Sequence, residues 1–266
     1  MGEKGFNPMK LGESLKNILT KKGEFGLERK YFKSSTINPK NKDLKFRISN
    51  YYCGSSVADI VGCNLRCVFC CAKDETIRQP KKVGDFYSPL SVALNLLANA
   101  KFGKCKNLRI SGGEPTLYKE HLLRVLEEVK QDDYQFMLET NGIILGNDIN
   151  LIKKISEFNN IHIRISIKGT SPEKFNFLTG AKKEFYQIQL KALENCLNYN
   201  IDCHPVIMLD FINSKDDFLS FKNLLQTIDF NIIKKLEFER LFLYSHVKKR
   251  LDDRNIPYKI LFKDSD

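Results

Sequence analysis

From residue 50 onward the chain repeats one pattern about six times: a short apolar run, then a stretch with apolar residues at helical spacing. No other feature constrains the fold as much. Strand–helix–strand units of this kind close as right-handed crossovers and lay their strands parallel. Strands are read at Val57–Val61, Leu108–Ser111, Gln135–Glu139, Ile161–Ile167, Cys203–Leu209 and Leu236–Leu241. Helices are read from Pro89 to about Ala100, over Leu117–Lys130, Asp148–Phe158, Phe185–Tyr199 and Asp216–Thr227, with one more opened by Ser171-Pro172-Glu173. Ser88 before Pro89 supplies a capping hydroxyl and a proline at the first helical position. Leu122, Val125, Leu126 and Val129 share one helix face. Six strands fall short of the eight that close a barrel. The expected fold class is therefore α/β, a partial (β/α)6 TIM-like barrel. Residues 1–50 read as a basic N-terminal extension, 51–243 as the core domain, and 244–266 as a charged, poorly patterned tail.

One strand carries a second message. In Ile161–Lys168 the isoleucines take one face and His162, Arg164, Ser166 and Lys168 the other. A parallel strand covered on both sides is normally apolar on both. The polar row therefore suggests a lumen that accepts a polar ligand. An edge strand with one wet face is the plainer alternative.

The chain of 266 residues has 42% hydrophobic and 28% charged residues, as expected of a globular domain. It shows no membrane-length apolar stretch and no signal-type leader in Met1–Lys10, so a cytoplasmic protein is expected. In a reducing compartment its eight cysteines are metal ligands, catalytic thiols or small core residues rather than disulfides. Cys53, Cys105, Cys196 and Cys203 are scattered and read as core thiols. Cys63, Cys67 and Cys70 are clustered just after the first strand, with three and then two residues between them. A zinc site would pair such cysteines with a second pair elsewhere, and no pair of that spacing follows. Three close thiolates suit a cubane iron–sulfur cluster with one iron left open. Cys71 is a neighbour of Cys70 and is read as a non-ligand.

The turn Ser111-Gly112-Gly113-Glu114-Pro115 lies between a strand and a helix. Paired glycines let backbone approach a ligand closely, although many βα loops share that composition. Cysteine loop, helix, strand and glycine turn together make a more specific pattern, and with Phe69 before the third cysteine the chain resembles the radical S-adenosylmethionine (radical SAM) superfamily from about Ser56 to Leu241. The resemblance extends to size: it is that of a small, single-cluster member such as the glycyl-radical activating enzymes. It implies that Cys63, Cys67 and Cys70 ligate a [4Fe–4S] cluster whose fourth iron takes the amino and carboxylate groups of SAM. Reductive cleavage would then give methionine and a 5′-deoxyadenosyl radical that abstracts hydrogen from substrate. Gly112, Gly113 and Glu114 would meet the SAM amino group, and Phe69 would lie near the adenine. Thr140 and Asn141 follow the third strand, where similar enzymes contact SAM. Ser166 and Lys168 align with ribose and carboxylate contacts, although aspartate is common at the Ser166 position. Arg164 would offset the carboxylate charge. His204, on the lumen side of the fifth strand, is either a cofactor contact or a structural histidine. Glu139 either points inward or forms a helix-facing salt bridge. His121 sits on an exposed helix pattern and His246 in the tail; neither is assigned a role. The cysteine loop and the residues after three later strands all fall at C-terminal strand ends, where the active sites of parallel barrels lie.

The net charge of +11 is concentrated in residues 1–50, which hold 12 Lys/Arg against 5 Asp/Glu together with Phe25, Tyr31, Phe32 and Phe46. Such an arm contacts nucleic acid or acidic partners, or is simply a solvated face. Three reactions fit: installing a glycyl radical on a partner protein, modifying tRNA or a nucleobase precursor, or modifying a peptide or metabolite. Each needs a reducing partner of the flavodoxin or ferredoxin type and none needs a membrane. A non-catalytic metal-binding module with an RNA-contacting arm is the reading from a different class.

Overall fold

The computed structural model describes residues 5–19, 21–22, 28–33 and 46–258. Six strands pair in parallel and in chain order: β1 (Ser55–Ile60), β2 (Asn107–Gly112), β3 (Gln135–Thr140), β4 (Ile161–Ile167), β5 (Asp202–Met208) and β6 (Glu237–Glu239). Helices run between successive strands, so the expected partial (β/α)6 barrel is the fold observed. Ser88 and Ser171 cap their helices as the sequence implies, accepting from Ser91 N and Lys174 N.

The core lies between strands and helices. Ile161, Ile163, Ile165 and Ile167 of β4 are at most 4% exposed. Burying each is worth roughly 1.5–3 kcal/mol. They share one hydrophobic core with the buried faces of the helices, including Leu122, Val125, Leu126 and Val129 of helix Lys119–Val129. This packing leaves the other face of β4 turned to the lumen.

Several elements depart from the sequence reading. The helix expected over Asp148–Phe158 ends early, at Ile149–Ile155, and an unexpected short helix, Ile143–Asn147, precedes it. Asp148 interrupts them with an extended φ and caps the second through Leu151 N at 3.0 Å. The last strand shrinks from Leu236–Leu241 to Glu237–Glu239, because its partner run on β5 ends at Met208. His121, expected on an exposed helix face, is 1% exposed, and its Nε2 lies 3.0 Å from the carbonyl of Tyr87.

Parts of the basic extension complete the sheet. Phe46–Ser49 pairs antiparallel with β1, while Glu28–Lys33 meets β1 at Ile60 and pairs with Gly84–Tyr87. Phe46 is a core residue packed edge-on against Tyr87, so it offers no face to a nucleic acid. Phe25 lies outside the described residues. The tail, expected to be poorly patterned, forms helix Ser245–Asp252 with Val247 and Leu251 fully buried. Among the described residues no helix is long and apolar enough to cross a membrane.

Candidate functional site

The cysteine loop leaves the C-terminal end of β1. It is tied down by Gly62 N to Thr76 O at 2.9 Å and Val68 N to Leu178 O at 2.9 Å. Cys63, Cys67 and Cys70 line one pocket with Arg66, Arg78 and Arg250. Cys71, next in the chain, is not among its lining residues. Leu65 N donates to Cys63 Sγ at 3.4 Å, and the Asn141 amide lies 3.8 Å from the same sulfur. Burial pushes the Cys67 thiol up to about 11, against the opposing charges of Lys168 and Arg250. Burial raises Cys63 as well. Without a metal these thiols keep their protons, and metal loading must displace them.

The donor set fits an iron–sulfur cube. Among the described residues no three His, Cys, Asp or Glu side chains converge on a point that would hold a single metal ion. A cube takes one thiolate per iron, so it needs sulfurs arranged around a pocket rather than on a point. The buried Asn64 amide nitrogen, beside Cys63, has no hydrogen-bond partner among the described residues.

The glycine turn is stitched onto this loop. Gly113 N donates to Ile60 O at 2.7 Å and Glu114 N to Gly62 O at 2.8 Å. A Cβ on Gly113 would sit 2.2 Å from the Gly62 carbonyl oxygen, so the close approach demands glycine. These N–H groups are engaged within the chain; an amino group, itself a donor, would have to meet carbonyl oxygens of the turn. The Glu114 side chain, 1% exposed, acts as a brace. Its Oε1 accepts from Thr116 N, Thr116 Oγ1 and Thr140 Oγ1, and its Oε2 from Asn141 N at 2.7 Å. Burial raises its pKa while those hydrogen bonds oppose the shift. Asn141 then donates to Asn64 Oδ1 at 2.8 Å, which closes the path from β3 back to the cysteine loop.

The polar row on β4 divides in two. At its C-terminal end Lys168 Nζ donates to Ser166 Oγ at 2.6 Å and lies 5.6 Å from the Phe69 ring centroid. Phe69 also packs on Phe211. Phe69, Ser166 and Lys168 are thus gathered on the rim with the cysteine loop. Arg164 and His204 pair with the chain's own carboxylates. Arg164 donates from Nε and Nη2 to Glu237 and lies 2.7 Å from Glu239. His204 Nε2 lies 2.9 Å from Glu237, and its Nδ1 lies 2.6 Å from His162 Nε2. His162 Nδ1 in turn meets Asp202 at 2.6 Å. Glu139 does point inward, accepting from Tyr52, Arg109 and Ser111. The lumen expected to wait for a polar ligand is therefore filled at this level by the protein's own charges. The Arg164 guanidinium, assigned to a cofactor carboxylate from the sequence, is held by two glutamates instead.

Three residues of the site escaped sequence reasoning. Buried Gln189 links the ends of β3 and β4, Glu237 collects Arg164 and His204, and Arg250 reaches the cysteine loop. A lone Gln, Glu or Arg on a helix or short strand carries no local pattern that would mark it. His246, unassigned from the sequence, contacts the carbonyl of Cys71 at 2.9 Å.

Comparison with known proteins agrees with this geometry. The model of the radical SAM superfamily matches residues 57–225. A GTP 3′,8-cyclase of Haemophilus ducreyi is 28% identical over 190 residues, covering 69% of this chain and 53% of that protein. A 7-carboxy-7-deazaguanine synthase of Methanocaldococcus jannaschii is 26% identical over 166 residues, 58% of this chain and 63% of that one. The chain spans about half the length of the first of these. Streptococcus suis SuiB, solved bound to S-adenosylmethionine, superposes with a TM-score of 0.53 at 17% identity, covering 70% of this chain and 40% of SuiB, and so shares the fold.

Proposed function

Because the chain belongs to the radical SAM superfamily, an enzyme family that uses a [4Fe–4S] cluster, SAM and a reductant, we propose that it performs radical chemistry on a purine nucleotide or nucleobase precursor. Cys63, Cys67 and Cys70 are the residues that would hold the cluster. When bound, it supplies the electron that cleaves SAM to methionine and a 5′-deoxyadenosyl radical.

The chain's own residues orient the reactants. The turn at Gly112–Glu114, with Thr140 and Asn141, would hold the amino-acid end of SAM beside the cysteine loop. Phe69, Ser166 and Lys168 form the adjoining wall for its nucleoside. Phe69 and Phe211 exclude water there, and the Lys168 ammonium offers a donor to a hydroxyl or carboxylate. Arg164 and His204 are removed from the cofactor set and shape the lumen below it.

The observation that carries the reading is the Glu114 brace, which joins the cysteine loop to the ends of β2 and β3 through buried hydrogen bonds. A scatter of core thiols has no use for such a brace. The substrate class rests on the two relatives named for guanine compounds. Those names favour the nucleobase-precursor option over glycyl-radical activation, and a small substrate over tRNA or protein. A low-potential flavodoxin or ferredoxin fits as the reducing partner.

Two measurements test this. Anaerobic reconstitution should give about four irons and four sulfides per chain, with SAM altering the reduced-cluster spectrum. One zinc and no response to SAM would leave the metal-binding module. A panel of purine nucleotides, GTP first, should then accelerate 5′-deoxyadenosine release. Uniformly slow release across the panel would overturn the substrate class and leave the superfamily assignment standing.

A further inference from the structure

Helix Ser245–Asp252 lies beyond the sixth strand, yet it closes on the cysteine loop. Arg250 Nη1 donates to Cys67 O at 3.3 Å; Nη2 donates to Cys70 O and, at 3.3 Å, to Ala72 O. One helical turn earlier, His246 Nε2 donates to Cys71 O at 2.9 Å. Two side chains of one helix therefore grip four carbonyl oxygens around the second and third cysteines, from more than 170 residues away in sequence. The grip is itself fixed. Arg250 Nε donates to His246 O at 3.1 Å, and Val247 and Leu251 root the helix in the core. The Arg250 side chain is 15% exposed and lines the pocket of the three cysteines, where half-exposed Asp74 faces it at 3.8 Å and offsets only part of its charge.

We infer that Arg250 is a positioning residue for the iron–sulfur centre: it fixes the backbone between the second and third thiolates and biases the cluster toward its reduced form. This rests on the reading that Cys63, Cys67 and Cys70 are the ligands. A guanidinium is planar, carries five donors and stays charged, so it can satisfy several carbonyls at once where an ammonium acts as a point charge. Reduction adds a negative charge to the cluster. A fixed positive charge beside it favours that state, since local charge sets cluster potentials. Arg66 offers a second guanidinium to the loop, but at Cys63 O and Leu65 O, between the first and second cysteines.

The test uses the full chain, reconstituted anaerobically, as wild type, Arg250→Lys, Arg250→Met and His246→Phe. Three quantities are read: irons per chain, the rate of iron loss to a ferrous chelator, and the reduction midpoint followed by electron paramagnetic resonance. Arg250→Met should take up the electron about tenfold less favourably, a midpoint lower by about 59 mV for a one-electron couple. It should also lose iron several-fold faster. Arg250→Lys should keep most of the midpoint, because charge is retained, while losing iron as fast as Arg250→Met. His246→Phe should speed iron loss and leave the midpoint unchanged. A wild-type midpoint in Arg250→Met, or equal midpoints in the Lys and Met variants that both differ from wild type, overturns the electrostatic role. Unchanged iron loss in Arg250→Lys and His246→Phe overturns the positioning role even if Arg250→Met fails to fold. Wild-type protein that takes up no four-iron cluster refutes the ligand assignment instead, and that outcome is distinct from the others.

Discussion

Gln189 Oε1 accepts the backbone N–H of Lys168 at 3.1 Å, while the same amide's nitrogen donates to the carbonyl of Asn141 and, at 3.2 Å, to that of Ser166. One fully buried side chain on helix Phe185–Asn198 thus fixes the ends of β3 and β4 against each other. Those ends carry Asn141, Ser166 and Lys168, so the helix layer sets the spacing of the rim.

Replacing Gln189 with Met keeps the volume and leaves those backbone groups unpaired. Stranding a buried polar group costs roughly 1–3 kcal/mol. Urea unfolding of Gln189→Met should show a loss in that range. Titration with SAM should show weaker binding at unchanged iron content. Wild-type affinity for SAM would mean that the rim keeps its shape without the amide.

The three clustered cysteines are not equivalent to their neighbour. Cys63→Ala, Cys67→Ala and Cys70→Ala should each abolish reductive SAM cleavage and lose iron on reconstitution, whereas Cys71→Ala retains both. An essential Cys71 beside a dispensable Cys70 would reassign the ligands.

Gly113 lies so close to the cysteine strand that a side chain there disturbs more than SAM. The added Cβ, 2.2 Å from the Gly62 carbonyl oxygen, must push the start of the loop aside. Gly113→Val should therefore lower iron retention together with SAM affinity, both measured on the same reconstituted sample. A fully loaded cluster with only SAM binding lost would show that the turn moves independently of the loop.

The lumen network makes stability depend on acid. Burial works against ionisation of Glu237, but hydrogen bonds from His204 and Arg164, and the Arg164 charge, hold its carboxyl at about 2. An unfolded glutamate titrates near about 4.3. The folded pKa is the lower one, so this group's contribution is complete above the unfolded value and is lost as pH falls from there toward 2. Glu237→Gln should be less stable at neutral pH and show a shallower fall in unfolding free energy between about pH 5 and 2. Parallel curves for the two proteins would place the acid sensitivity elsewhere.

Much of this architecture was legible in the chain because its causes are local. The alternation of β4 in Ile161–Ile167 and the helical face of Leu122, Val125, Leu126 and Val129 are short-range periodicities, and each produced the element it announced. The cysteine loop and Gly112–Gly113 could be located because a metal-binding spacing and a tight turn are written in consecutive residues. The helix start at Asp148 was legible because its side chain caps its own first turn, whereas the short helix Ile143–Asn147 before it was not, since it is held by Asn195 from a distant helix. His121 looked exposed on a helix wheel and is buried because the Gly84–Tyr87 strand supplies a carbonyl to it.

By itself, then, the sequence determined six parallel strands, the place of the thiols at their C-terminal ends, and membership of a family that opens one iron to a nucleotide. Only the tertiary structure decided which polar side chains pair with one another. Arg164 and His204 pair with Glu237, which stands 73 and 33 residues further along the chain, and Arg250 grips a loop 183 residues before it. Charge partners are chosen by proximity in space, and a linear pattern of residue types carries no distance between strands.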